Sequence, residues 1–201
     1  MPENKSMRRE SLSMVVLAGG ASSRMGKDKS DLMIHGKTFL ELQIEKGRSL
    51  GIEDILVSGY RGKTCSAPIV EDRILGKGPL GGLEACFRAA KNGQCLVLGV
   101  DVPMIPEEVL KELIGKALAS SAPAVILQHG EKEEPLLGVY RTELADAMAE
   151  EITLRKGSVF AFLRRVGYET YASEAPDICF ANVNDPAAYD ALLRESGDAL
   201  H

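Results

Sequence analysis

Short apolar runs alternate along the chain with longer stretches in which apolar residues recur at helical intervals. The strand-type runs cover residues 13–18, 54–58, 69–71, 95–100, 124–128, 136–140 and 178–183. Helical patterns fill most of the gaps, at residues 38–50, 80–91, 106–118 and 158–166. This alternation is typical of right-handed β-α-β units, so we predict an α/β fold whose mostly parallel sheet is flanked by helices on both faces.

The composition predicts one ordinary globular domain. Of the 201 residues, 45% are hydrophobic, which is enough for one sizeable core and short for two. Residues 1–11 are polar and charged, so we expect a flexible N-terminal extension followed by a single domain over residues 12–197. The apolar runs are shorter than a signal sequence or a membrane span needs, and a cytoplasmic protein is the default expectation.

Charge and metal-ligand spacing exclude several kinds of partner. A net charge of −5 provides no large basic field, so we do not expect binding to nucleic acid. The four cysteines lie far apart without metal-finger spacing, and the three histidines lack any ligand spacing to one another. Any anion-binding site must therefore be local.

The segment after the first predicted strand carries the clearest chemical signal. Residues 14–29 read MVVLAGGASSRMGKDK, in which glycines and cations follow an apolar strand directly. Glycines let main-chain N–H groups approach phosphate oxygens, and the cations neutralise the charge. The spacing fits neither the P-loop motif nor the dinucleotide-binding motif. We predict a polyphosphate loop with main-chain donors at Gly19 and Gly20 and with Arg24 and Lys29 on the phosphates.

A carboxylate follows another buried strand, at Asp101 in the sequence LGVDVP. Magnesium takes one or two carboxylates together with phosphate oxygens and water, so a carboxylate beside a polyphosphate loop suits it. On its own, an aspartate in this position is better explained as a cap for the turn before Pro103. The neighbouring glycine loop reverses that preference, and we predict that Asp101 binds Mg²⁺.

A glycine-rich turn follows the short strand near residue 70, where residues 71–83 read EDRILGKGPLGGL. Glycines such as Gly78 leave room for a flat ring to lie against the backbone, and the N–H groups at a helix start add polar recognition. The pattern fits a pocket for a base or ribose and a tight loop that only docks the helix equally well.

The last predicted strand supplies two amides that would suit a second substrate. Asn182 and Asn184 are two positions apart at the end of the predicted strand 178–183. We therefore expect both amides on the same face of the strand. Asp185 and Pro186 read instead as the cap and first residue of a helix. Arg155 is a further candidate for contact with an anionic substrate, although a solvated loop cation explains it equally well.

Several of these segments together resemble molybdenum cofactor guanylyltransferase, the bacterial family that joins GMP to molybdopterin. The resemblance rests on motifs in family order over nearly the whole chain after residue 12: LAGGASSRMGKDK at 17–29, VEDR at 70–73, GPLGGL at 78–83, DVP at 101–103, EPLLGVY at 134–140 and NVNDP at 182–186.

The resemblance implies a Rossmann-like nucleotidyltransferase fold of the nucleotide-diphospho-sugar transferase type and a Mg²⁺-dependent reaction. The substrates would be GTP and molybdopterin, with pyrophosphate released. It also implies that other proteins deliver and accept the molybdenum cofactor. The resemblance implies GTP contacts at Leu17, Ala18, Gly19, Lys29, Ser58 in place of a common Asn, Asp72 and Asp101. The family also uses the Asn182 and Asn184 pair for the pterin substrate.

Three alternatives remain from the sequence. Molybdopterin cytidylyltransferases resemble this family but typically begin LAAG, where this chain has Gly19 and Gly20 after Leu17 and Ala18. A sugar-1-phosphate nucleotidyltransferase would need extra length for its sugar. A nucleotide-binding module without turnover would be expected to lack Lys29 or Asp101, and the chain has both.

Overall fold

The computed structural model describes residues 12–19, 28–62, 64–74, 76–155 and 157–197. Within these ranges the strands are β1 (Ser13–Leu17), β2 (Met33–Ile34), β3 (Lys37–Thr38), β4 (Asp54–Ser58), β5 (Ile69–Val70), β6 (Gln94–Gly99), β7 (Ala124–His129), β8 (Lys132–Arg141) and β9 (Glu169–Ala172). The α-helices are α1 (Phe39–Ser49), α2 (Gly78–Ala89), α3 (Glu107–Ala119), α4 (Ala145–Glu150), α5 (Val159–Val166) and α6 (Pro186–Glu195). Short 3₁₀ helices cover Lys29–Asp31, Thr142–Leu144 and Asp177–Phe180, and a π-helical turn covers Glu151–Arg155.

One sheet organises the described part of the chain, with strands in the order β5-β4-β1-β6-β8-β7-β9. The strands β5, β4, β1 and β6 run parallel to one another. β8 is antiparallel to both β6 and β7, and β9 is parallel to β7. The predicted α/β fold with a mostly parallel sheet is confirmed.

Alternate residues of the central strand β1 bury two separate cores, because successive side chains point to opposite faces of a sheet. Met14 and Val16 pack on the face covered by α1, α3 and α6. Val15 and Leu17 pack on the face covered by α2, α4 and α5. Helices therefore cover both faces, as the sequence predicts.

Side chains cap the starts of two helices, and one of these caps is the predicted Asp185. Thr38 accepts from the backbone N–H of Glu41, and the Glu41 carboxylate accepts from the backbone N–H of Thr38, which satisfies two otherwise unpaired donors at the start of α1. Asp185 accepts from the backbone N–H of Ala188 at 2.9 Å and begins α6.

The predicted last strand at residues 178–183 is wrong. Residues Asp177–Phe180 form a 3₁₀ helix, and residues 181–184 belong to no strand. The strand at the edge of the sheet next to β7 is β9, which is short and polar, so the apolar pattern does not reveal it. β8 begins at Lys132, before the predicted residue 136. The apolar pattern misses this start because the first residues of the strand are charged.

In the described part of the chain, no helix has both the length and the apolar character that crossing a bilayer requires.

Candidate active site

The loops singled out in the sequence begin at one edge of the sheet. Leu17 at the end of β1 pairs with Ser58 of β4 on one side and with Gly99 of β6 on the other. Ser58 in turn pairs with Val70 at the end of β5. Four parallel strands therefore end level with one another, and ligands of such sheets bind beyond these carboxyl ends.

The turn after β1 is fixed by backbone contacts to both neighbouring strands. The N–H of Ala18 donates to the carbonyl of Ser58 at 2.9 Å, and the N–H of Val100 donates to the carbonyl of Leu17 at 3.0 Å. A Cβ on Gly19 would lie 3.0 Å from the Cα of Gly59, which itself has a positive φ of 78°. Two glycines thus allow two backbones to touch where the phosphate loop begins.

Lys29 and Asp101 come together at this edge, as the predicted site requires. The Lys29 ammonium lies 3.9 Å from a carboxylate oxygen of Asp101 and donates to the Asn184 side-chain oxygen at 2.5 Å. The side chains of Lys29 and Asp101 are 18% and 29% exposed, so both are accessible to a ligand while held by the protein. The N–H of Val183 donates to the carbonyl of Asp101 at 2.9 Å and ties the segment carrying Asn184 to the same place.

Burial raises the pKa of Asp101, and the nearby Lys29 ammonium opposes that rise. A carboxylate in this position has lost part of its hydration and gains from a cation. In the described residues, no three His, Cys, Asp or Glu side chains gather as a metal site. Asp101 would give a metal one carboxylate, and magnesium takes its other ligands from phosphate oxygens and water.

Asp72, Ser58 and the start of α2 form a second group beside the first. The Ser58 hydroxyl donates to a carboxylate oxygen of Asp72 at 3.4 Å. A Cβ on Gly82 would lie 2.2 Å from the Ser58 hydroxyl oxygen, so the first turn of α2 passes directly over these side chains. Gly78 begins the helix with a φ of 59°, a conformation that favours glycine.

The start of α2 also leaves polar groups available. Lys77 precedes the helix and makes no side-chain capping hydrogen bond. Helix-start N–H groups without a side-chain cap are donors for a ligand. Asp72 and the start of α2 thus offer both acceptors and donors next to an open surface.

The structure brings Asn184 to the site but does not bring Arg155 there. Asn184 reaches Lys29, but no strand holds Asn182 and Asn184 on one face; Asn182 is half-buried, and the buried Val183 separates it from exposed Asn184. Arg155 ends the π-helical turn on the α2 side of the sheet and pairs with Glu150 at 3.3 Å. Gly20, Arg24 and the extension at 1–11 lie outside the described residues.

Three supporting residues escaped the sequence analysis. Gln43 is fully buried in α1, and its amide donates to the carbonyls of Gly99 and Val102 at 3.1 and 2.8 Å, clamping the turn that carries Asp101. The buried Ser30 hydroxyl donates to the Ala18 carbonyl at 3.0 Å. Lys46 donates to the carbonyl of Pro103. Only Gln43 gave a signal, because it interrupts the apolar stripe of α1.

Comparison with known proteins decides the family. The family model of the MobA-like NTP transferase domain matches residues 14–170. The chain belongs to this family.

Relatives and solved structures agree with that assignment. A probable molybdenum cofactor guanylyltransferase of Aquifex aeolicus is 33% identical over 167 residues, covering 80% of this chain and 81% of the relative. One of Carboxydothermus hydrogenoformans is 29% identical over 192 residues, covering 92% and 96%. The crystal structure of molybdopterin-guanine dinucleotide biosynthesis protein A from Archaeoglobus fulgidus has the same fold, with a TM-score of 0.79, 24% identity and coverage of 93% and 100%.

As a member of the MobA-like family, the chain is a nucleotidyltransferase, and the resemblance to molybdenum cofactor guanylyltransferase is confirmed. The matched region contains Lys29, Asp72 and Asp101. Asn182 and Asn184 lie beyond it.

Proposed function

We propose that this chain transfers GMP from GTP to the phosphate of molybdopterin, forming molybdopterin guanine dinucleotide and releasing pyrophosphate. The observation that carries the proposal is the meeting of Lys29, Asp101 and Asn184 at the carboxyl edge of the sheet, in a chain whose relatives are named for this reaction. An ammonium, a carboxylate and an amide suit a polyphosphate, a divalent cation and a polar acceptor respectively.

GTP would lie along the edge with its nucleoside toward β5 and β4. Asp72 and Ser58 would contact the ribose or base, and the glycines of the first turn of α2 would let a flat ring approach. A carboxylate only accepts hydrogen bonds, and guanine offers adjacent N–H donors on its ring and amino group, whereas cytosine offers only its amino group. This chemistry favours GTP over CTP.

The phosphates would lie between the Gly19 turn and Asp101. Lys29 and Arg24 would hold the triphosphate and then the departing pyrophosphate, with main-chain donors of the Gly19 turn aimed at the same charge. The acceptor phosphate of molybdopterin would attack the α-phosphorus in line, and pyrophosphate would leave. Negative charge is present throughout this step, so catalysis depends on positioning and charge neutralisation. A phosphate monoester is largely dianionic near neutral pH, so the attack needs no protein base.

The site suits Mg²⁺. Asp101 would hold it together with phosphate oxygens and water, because magnesium retains several waters and takes few carboxylates. Bound there, the ion would neutralise charge on the phosphate oxygens during transfer. The partly exposed Asp101 carboxylate, 3.9 Å from the Lys29 ammonium, fits that donor set.

The test is a turnover assay with molybdopterin and each of the four nucleoside triphosphates. Pyrophosphate release and the mass of the dinucleotide product are followed together. We expect release only with GTP and only when molybdopterin is present. Equal rates with CTP would replace the proposal with cytidylyl transfer, and release without molybdopterin would contradict the acceptor.

A further inference from the structure

The β7–β8 hairpin extends beyond the end of β6, the strand that Asp101 follows. The ladder between β6 and β8 ends where Leu98 pairs with Leu137. The first residues of β8 pair only with β7, from Glu134 opposite Leu127 to Lys132 opposite His129. The hairpin therefore projects past β6 at the edge where Asp101 lies.

Three polar side chains gather on this projection. Lys132 and His129 both contact one oxygen of Glu134, at 2.5 and 3.2 Å. The His129 ring stacks on Phe180, with ring centres 4.6 Å apart. Glu134 and His129 are 15% and 12% exposed, whereas Lys132 is 58% exposed. A largely buried carboxylate thus fixes the direction of an accessible cation.

This group is connected to the active site. Phe180, on which His129 stacks, leads directly into the segment that bonds to the Asp101 carbonyl and carries Asn184. The projection therefore lies beside the segment that contacts Asp101.

Its place along the sheet indicates which substrate it meets. The strand order β5-β4-β1-β6-β8 places the Asp72 pocket at one end, Lys29 and Asp101 in the middle and the hairpin at the other end. With a nucleoside at the first end and phosphates in the middle, the hairpin side is left for the acceptor.

We propose that Lys132, oriented by Glu134 and His129, binds the phosphate of the acceptor substrate. The proposal rests on the proposed function, since it assigns one side of the same site. An ammonium has three donors, so Lys132 can keep its bond to Glu134 while it donates to a phosphate. Glu134 is a positioning residue, because it acts through Lys132.

The experiment measures steady-state kinetics of Lys132→Met, Lys132→Arg and Glu134→Gln with GTP and molybdopterin. For Lys132→Met we expect the KM for molybdopterin to rise about 10-fold, with GTP affinity by calorimetry unchanged, because one charge-assisted contact to the acceptor is lost. Lys132→Arg keeps the charge and should stay within about 3-fold of the original KM. Glu134→Gln should raise the KM by an intermediate factor.

The matched control is Lys91→Met. It removes an exposed lysine that lies 3.9 Å from Asp54 at the amino end of β4, opposite the carboxyl ends of the strands where the site lies. It should leave all constants unchanged. An unchanged KM for molybdopterin in Lys132→Met, or a loss of GTP affinity in its place, would overturn the proposal. Absence of transfer by the unmodified protein would instead overturn the proposed function, and the two failures are thus distinct.

Discussion

Substituting Gly82 by alanine tests whether the first turn of α2 is packed to carry the nucleoside pocket. The added Cβ would lie 2.2 Å from the Ser58 hydroxyl oxygen, 3.2 Å from the Ser58 Cβ and 3.4 Å from an Asp72 oxygen. Ser58 is only 4% exposed, so it has little room to retreat. Either Ser58 and Asp72 or the helix must move.

The expected energies can be compared with a matched glycine. Gly115 lies on the exposed side of α3, and a Cβ there meets nothing within 4 Å. Gly115→Ala should stabilise the protein by about 0.5–1 kcal/mol, because alanine favours the helix. Gly82→Ala gains the same propensity but adds overpacking of about 1–3 kcal/mol, so it should be less stable than Gly115→Ala by roughly that amount.

Chemical denaturation gives the stabilities, and calorimetry with GTP gives the binding. Displacing Asp72 and Ser58 should weaken GTP binding about 10-fold, equivalent to about 1.4 kcal/mol. Adding Ser58→Ala to Gly82→Ala removes the closest contact and should recover about half of the lost stability. Gly82→Ala with the stability of Gly115→Ala and unaltered GTP binding would refute this packing.

Two further predictions follow from burial. Desolvation lowers the pKa of Lys46 from 10.5 to about 8, so the unfolded chain binds more protons between these values and the free energy of unfolding should rise with pH there. Denaturation at pH 7.5 and 10 should show a rise on the order of 1–3 kcal/mol that Lys46→Met lacks; parallel curves for both proteins would contradict it. Burial raises the pKa of Cys86 to about 12 and also raises the pKa of Cys95. A thiol reagent at pH 8 should therefore label only Cys65 and Cys179 in the native protein. Mass spectrometry that finds Cys86 or Cys95 labelled before unfolding would contradict this prediction.

The parallel core of the fold was predictable because its strands are buried on both faces. β4 lies at the predicted residues 54–58, and β1 ends one residue before the predicted boundary. Continuous apolar runs give this signal without any tertiary information. Edge elements give a weaker one: β9 reads ETYA, is partly exposed and pairs on one side only, so no apolar run marks it.

The failed strand at 178–183 has a different cause. Phe180 and Val183 are both buried and are three residues apart. This spacing fits a 3₁₀ turn followed by one buried residue as well as it fits a strand. Val183 is anchored by its bond to the Asp101 carbonyl. A local pattern cannot show a contact made across about 80 residues of sequence.

The candidate site divides in the same way. Lys29 and Asp101 follow strands whose ends meet at one edge, so a rule about parallel sheets placed them together. Gln43 donates hydrogen bonds to the turn after β6, and Glu134 contacts His129 of β7 as well as Lys132 of its own strand. Their residue types alone are those of ordinary polar positions, and only the packed sheet reveals their partners.

The central claim is that Asp101 and Lys29 form one phosphate-binding and metal-binding centre, and Asp101→Asn tests it most directly. The amide keeps the size of the carboxylate and removes its charge, so the protein should melt normally and Mg²⁺-dependent pyrophosphate release from GTP and molybdopterin should fall by at least about 100-fold. Release at the original rate from a normally folded Asp101→Asn protein would contradict the account.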